Sequence, residues 1–175
     1  MFRNSSDMNM LKPSLIVFDL DLTLWPFRVD KNVRSPFRQT NRKIVDASGV
    51  VVDVFPGVKE ILEKLFERNI TLAVASRIED VAGAYQLIHL FDIAKYFTYT
   101  EIYPTSKSKH FKQLRLKTNT EFNKMLFLDD DIRNIKAVSR LGVVCFQIPE
   151  SGFCADVMQQ ALQHYSETSA ESEEQ

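Results

Sequence analysis

Apolar and polar positions follow two rhythms along this chain. Residues 14–18, 70–75, 124–128 and 143–148 are short apolar runs without in–out alternation, the pattern of parallel strands covered on both faces. Between them, apolar residues recur at helical spacing. Val58, Ile61, Leu62, Leu65 and Phe66 predict a helix over 58–68. Further helices are predicted over 79–90, over 132–141 with Gly142 as its stop, and over 155–165. Residues 106–117 predict a basic helix with Phe111 and Leu114 as its apolar contacts, and 96–99 form a short β-rich run. Residues 43–55 predict a hairpin whose arms flank Ala47-Ser48-Gly49. Strands that alternate with helices indicate an α/β fold: a parallel sheet with right-handed crossovers and helices on both faces.

The 175 residues suit one domain, expected over 13–165. Residues 1–12 are polar and Met-rich, and are expected to be disordered. The acidic, Ser-rich stretch 166–175 is expected to be a disordered tail. Segment 28–43 carries Arg28, Lys31, Arg34, Arg38, Arg42 and Lys43 against Asp30, a composition that suits a solvated loop and, with less weight, the steering of anionic substrates. Net charge is −1, so no nucleic-acid partner is expected. No apolar run approaches the roughly 20 residues of a bilayer span, and no secretion signal is expected at the N-terminus. Cys145 and Cys154 are too few for a disulfide framework. Neither begins C-x5-R, the loop of cysteine-dependent phosphatases, because Ser151 and Gln160 stand at the sixth position after each. Both are expected to pack, in a reducing, cytoplasmic setting.

The first apolar run ends in Asp19 and Asp21, with Leu20 between them and Thr23 after. Carboxylates at the C-terminal end of a central parallel strand sit where open α/β sheets bind ligands. Two so close repel each other, and a hard divalent cation relieves that repulsion. Other strand ends carry Ser76-Arg77 and Asp129-Asp130, and Lys107 opens a helix after the third strand. Taken singly, the serine is a helix cap, the lysine a surface residue and the acids a helix N-terminal preference. In a parallel sheet all strand C-termini lie along one edge, so together these groups converge.

That set suits phosphoryl transfer. A cation that bridges a carboxylate and a phosphate oxygen removes their mutual repulsion. Asp19 then serves as a nucleophile that forms an aspartyl-phosphate, and Asp21 as the general acid and then base. Lys107 neutralises charge, while Ser76 and Arg77 hold phosphate oxygens. Mg²⁺, with few protein ligands, fits Asp19, one backbone carbonyl and one acid of the 129–130 pair. Trp25-Pro26-Phe27 is either a wall of the site or a plug on the core. A different class of protein also uses paired acids, a Ser or Thr and a Lys: an aspartate phosphoacceptor of signalling. Asp21 argues against it, because such domains place no acid/base two residues after the acceptor.

FDLDLTLWPF, AVASR, EIYPTSK and FLDDDIRN followed by LGV resemble the magnesium-dependent phosphatase 1 family of the haloacid dehalogenase (HAD) superfamily, from about Leu15 to about Ile148. The resemblance implies a three-layer Rossmann-like fold with Mg²⁺ as cofactor, Asp19 as nucleophile and Asp21 as acid/base that also offers its backbone carbonyl to the metal. It implies Asp130 as the further ligand, with Asp129 and Thr23 in support. Phosphate is then held by Ser76, Arg77, Lys107 and the backbone N–H of Leu20. Arg28 stands where the family often carries an aromatic residue, and Thr105 where it often carries glycine. The segment between Thr23 and Ser76 reads as loop, hairpin and helix, a flap over about 24–55 with no room for a large cap domain. The resemblance further implies a hydrolase, a phosphoric monoester phosphatase, acting on phosphotyrosine in proteins and on sugar phosphates such as fructosamine 6-phosphates. A monomer is expected.

Overall fold

The computed structural model describes residues 10–174. The first strand, β1 (Leu15–Phe18), is the centre of the molecule, and all four of its side chains are fully buried. Each such burial contributes about 2 kcal/mol. The insert strands β2 (Arg38–Thr40), β3 (Lys43–Val45) and β4 (Val51–Val52) follow. Helix α1 (Val58–Glu67), strand β5 (Thr71–Ser76), helix α2 (Val81–Leu90) and strand β6 (Phe97–Ile102) come next. The chain ends with α3 (Lys107–Thr118), β7 (Met125–Asp129), α4 (Ile132–Ser139), β8 (Val144–Gln147) and α5 (Ala155–Glu173).

Five strands form one parallel sheet in the order β6-β5-β1-β7-β8. From β1 the chain adds strands first on one side and then on the other, so a topological switch point falls at the C-terminal end of β1. Side chains of β1 alternate between two cores. Ile16 and Phe18 join α1, α2 and α5, which bury Leu62, Leu87 and Leu162. Leu15 and Val17 face α3 and α4, which bury Phe111, Leu114 and Val138. This is the expected three-layer α/β arrangement. No large cap interrupts it, and the expected hairpin is present as β3 and β4.

Three expectations need correction. The stretch 28–43 is not merely a solvated loop. It contributes β2, which pairs with β3 to make a three-stranded antiparallel sheet, and it buries Val29, Val33 and Phe37 in the main core. Its basic residues hid these three scattered apolar anchors. Second, the tail expected to be disordered from residue 166 continues α5 as far as Glu173. Extending an existing helix avoids the costly nucleation step, and Glu and Ala favour it. Ser166 Oγ also accepts from Leu11 N–H at 3.0 Å. Third, Cys154 is exposed at the N-cap of α5 rather than packed. Of the N-terminal stretch expected to be disordered, residues 1–9 lie outside the described residues, and 10–12 belong to no regular element. Among the described residues, no helix is long and apolar enough to cross a membrane.

Candidate active site

Asp19 follows β1 directly and its N–H donates to Leu128 O of β7 at 3.0 Å, so the neighbouring strand anchors its backbone. Its side chain is nearly buried and held on both oxygens. Lys107 Nζ donates to Asp19 Oδ1 at 2.6 Å, and Thr23 Oγ1 donates to Oδ2 at 3.2 Å. Lys107 itself is only 2% exposed. It also donates to Ala75 O at 2.5 Å, and it stands 3.3 Å from Asp129 Oδ2 and over the Phe127 ring. Burial alone lowers a lysine pKa, but the Asp19 and Asp129 carboxylates outweigh it and raise this one. It stays an ammonium.

Asp129 is fully buried. Its Oδ1 accepts from Asp131 N–H at 2.8 Å and its Oδ2 from Asn134 Nδ2 at 3.0 Å. Asp130 instead lines a cavity of about 370 Å³ together with Asp19, Asp21, Ser76, Arg77 and Lys107. One oxygen each from Asp19, Asp129 and Asp130 lie within 4.8 Å of one another. Burial first, and the Asp19 charge next, raise the pKa of both Asp129 and Asp130. Lys107 is paired with Asp19 and Asp129 but not with Asp130, so three acidic groups crowd one ammonium in a poorly solvated place. The donors are hard oxygens, the set that suits Mg²⁺.

Asp21 sits apart from that cluster. Its Oδ1 accepts from Trp25 Nε1 at 2.8 Å and from Val29 N–H at 3.2 Å. Burial, helped by the Asp19 charge and opposed by those two donors, pushes its pKa up to about 7. A carboxyl so tuned can give and take a proton near neutrality. Trp25 is fully buried and stacks on Phe27 at 5.5 Å. The aromatic turn is therefore a core plug, and it orients Asp21 as well.

Ser76 closes β5 and is 1% exposed; its Oγ accepts from Ile78 N–H at 3.4 Å. Arg77 is exposed on the cavity lip, as are Arg28 and Lys31 from the insert. None of these three cations makes an ion pair among the described residues. Arg133 is engaged by Asp131 through three side-chain contacts of 2.7–3.2 Å. Leu20 points its side chain into the core, and its carbonyl accepts from Thr23 and Leu24 N–H. Leu22 turns the loop with φ 59°, in the left-handed region.

All nine residues singled out from the sequence lie at or beside this cavity. Sequence reasoning missed Asn134 as the holder of Asp129 and Trp25 as the donor to Asp21. It gave little weight to Arg28 and Lys31 on the lip. A side-chain partner leaves no trace in spacing, so only the position of Arg28 and Lys31 in a basic run offered a signal. Cys145 is partly buried, and burial pushes its thiol pKa up to about 12, which leaves it a poor nucleophile.

The acid phosphatase family model matches residues 11–168. The chain belongs to that family. Membership makes it a hydrolase of the phosphatase class. It is 44% identical over 155 residues to magnesium-dependent phosphatase 1 of Homo sapiens, covering 88% of each chain. It is 33% identical over 147 residues to a HAD-like hydrolase superfamily protein of Schizosaccharomyces pombe, covering 77% of this chain and 85% of that one. Among solved structures, a HAD-superfamily hydrolase of Ehrlichia chaffeensis superposes with a TM-score of 0.66 at 16% identity, over 89% of this chain and 99% of the other. The N-terminal part of a Bacteroides fragilis protein, which contains a phosphatase domain and was solved with Mg, gives 0.60 at 18% identity, over 83% and 38%. At such identities these two structures speak for a shared HAD fold alone.

Proposed function

We propose that this acid phosphatase family member is a Mg²⁺-dependent phosphomonoesterase that works through an aspartyl-phosphate on Asp19. The carrying observation is Asp19 itself, a near-buried carboxylate held by Lys107 and Thr23 on a cavity floor, with Asp21 tuned to about 7 in the same cavity. Asp19 and Asp130 would hold the metal, with Asp129 braced behind them and the Asp21 carbonyl as a further oxygen. A bound divalent cation supplies neutralisation between a carboxylate and a phosphate dianion. The chain's residues do the rest. Ser76, Arg77, Lys107 and the Leu20 N–H hold the phosphate oxygens. The Asp19 carboxylate attacks phosphorus while Asp21 protonates the departing oxygen. Asp21 then takes a proton from water as that water attacks the aspartyl-phosphate, which frees Asp19 and inorganic phosphate.

The substrates this reading favours are phosphotyrosine in proteins and sugar phosphates such as fructosamine 6-phosphates. A second cavity of about 680 Å³ shares Asp130 with the first and offers Leu22, Pro26, Phe55, Ile148 and Pro149. Phe55, Pro26 and Pro149 of this cleft suit an aromatic leaving group, so phosphotyrosine takes precedence, although Gln147 and Glu150 also line it and offer hydrogen bonds to a sugar. A cytoplasmic monomer is part of the same reading.

The test is hydrolysis of p-nitrophenyl phosphate and of a phosphotyrosine peptide. Asp19→Asn is expected to lower kcat by roughly 10⁴-fold or more without loss of fold, and removal of Mg²⁺ to abolish turnover. Hydrolysis that survives either change defeats the mechanism. Stoichiometric phosphorylation without turnover would point instead to the phosphoacceptor reading.

A further inference from the structure

Helix α3 carries a histidine that the proposed chemistry does not use. His110 is fully buried one turn after Lys107. Its Nε2 lies 3.0 Å from Tyr103 O, and its ring meets the Tyr103 ring edge-on at 4.5 Å. A carbonyl only accepts, so Nε2 carries the proton and Nδ1 keeps a bare lone pair. That Nδ1 is buried and has no partner. Burial first, with the Lys107 charge in support, lowers the ring's pKa to about 4, so it is neutral near pH 7.

An orphaned buried acceptor is unfavourable, and a ring of carbon would avoid it. What the imidazole adds over a phenyl ring is the single N–H to Tyr103 O. That carbonyl is a junction. Tyr103 N–H donates to Ser76 O at 3.1 Å, and Thr105 N–H donates to Tyr103 O at 2.9 Å. His110 N–H and Lys109 N–H both return to Ser106 O. Lys107 Nζ in turn reaches Ala75 O, one residue before Ser76. The turn 103–106 is thus tied to the end of β5 on one side and to the first turn of α3 on the other, and the imidazole closes the loop.

We propose that His110 is a positioning residue, whose Nε2–H donation to Tyr103 O sets the distance between Ser76 and Lys107, and so the seat of the phosphoryl group beside Asp19. The proposal rests on the phosphatase reading above. Displacement of either group by even a fraction of an ångström weakens a site whose power lies in placement.

The two side chains that separate the alternatives are phenylalanine and glutamine. His110→Phe keeps the packing against Tyr103 and removes the donor. His110→Gln restores an N–H at about the reach of Nε2. With Mg²⁺ and p-nitrophenyl phosphate, kcat/KM of the Phe variant is expected to fall about tenfold, the scale of one lost hydrogen bond. Its inhibition constant for inorganic phosphate is expected to rise. The Gln variant is expected within about threefold of the native enzyme. A Phe variant with native kcat/KM, or a Gln variant no better than Phe at matched thermal stability, overturns the proposal. The unaltered protein gives a check that needs no variant: nitrogen NMR of His110 at pH 7 is expected to show the Nε2–H tautomer, and the Nδ1–H tautomer would refute it. Asp19→Asn keeps the two claims apart. If Asp19→Asn is inactive while His110→Phe is native, only the positioning role fails. If Asp19→Asn is active, the phosphatase mechanism fails first.

Discussion

The parallel sheet and the insert from Asp21 to Val54 border the same cavity but are held together in different ways. The sheet places Asp19, Ser76 and Asp129 at strand ends, and both of its faces are buried under helices. The insert has strands of two or three residues, and β2 is wholly exposed. Polar side chains order it by capping backbone N–H groups. Asp46 accepts from Arg34, Ser48 and Val50, at 3.1, 2.9 and 2.9 Å. Asp30 accepts from Asp80 N–H, Asn32 from Arg28 N–H and Gln86 from Phe37 N–H. The strand-end groups thus stand on a frame covered on both faces, which pH and salt scarcely touch, whereas the lip that meets the substrate combines apolar anchors such as Trp25, Val29, Val33 and Phe37 with carboxylate and amide caps that pH can reach. Asp21, held by Trp25 and Val29, stands at the border of the two regions, and the comparison can be broken at four places.

The largest effect is expected at Lys107. Lys107→Met strips the ammonium from two buried carboxylates, Asp19 and Asp129. Loss of one partner of a buried ion pair typically costs about 3–5 kcal/mol, so the sheet edge should lose stability along with activity. Thermal unfolding should show the deficit, and saturating Mg²⁺ should recover more stability in the variant than in the native protein.

The next is a pH effect that sits at the border of the two regions. Asp21 is raised to about 7, so the free enzyme holds the acid form below that pH and loses it above. For a phosphate ester with a poor leaving group, kcat/KM should therefore fall about tenfold per pH unit on the alkaline side of a midpoint near 7. Asp21→Asn should erase that limb. The folded protein binds this proton more tightly than the unfolded chain does, so Asp21 favours folding below about pH 4 and that contribution fades as pH rises through 7.

Asp46 should behave in the opposite sense. Burial alone would raise its pKa, but backbone donors led by Val50, Arg34 and Ser48 lower it. Its contribution to stability is present above the ordinary carboxylate range and is lost as pH falls below it. Asp46→Ala should lower the thermal midpoint by a few degrees and change turnover far less than Lys107→Met does. Calorimetry alongside an activity assay checks both. The smallest effect is expected at Arg28, which is exposed and unpaired among the described residues. Arg28→Ala should leave stability unchanged and lower kcat/KM for anionic substrates a few-fold. The salt dependence of the rate should weaken with it.

The residues that were legible in the sequence are those whose position follows from the chain itself. An unbroken apolar run announces a strand covered on both faces, and residues just past its end must lie on the ligand edge. Asp19, Asp21, Ser76 and Asp129 could be placed on that reasoning alone. The hairpin was legible from its β-rich arms. The strand β2 was not, because basic residues surround it and all three of its residues are exposed, so no apolar position marks it. The end of α5 was not, because an acidic composition describes an isolated segment and not one that extends a helix already formed.

By itself the sequence determined the layers, the strand ends and the acids they carry, because strand periodicity and the direction of a parallel sheet are local properties that add up. Tertiary structure alone decided that Lys107 and His110 are buried rather than solvated, that Trp25 holds Asp21, and that Asn134 and Asp131 brace Asp129. Those outcomes depend on which groups meet across the fold. The state of a charged or polar side chain is set by its neighbours' dielectric and donors, and these do not exist until the layers close.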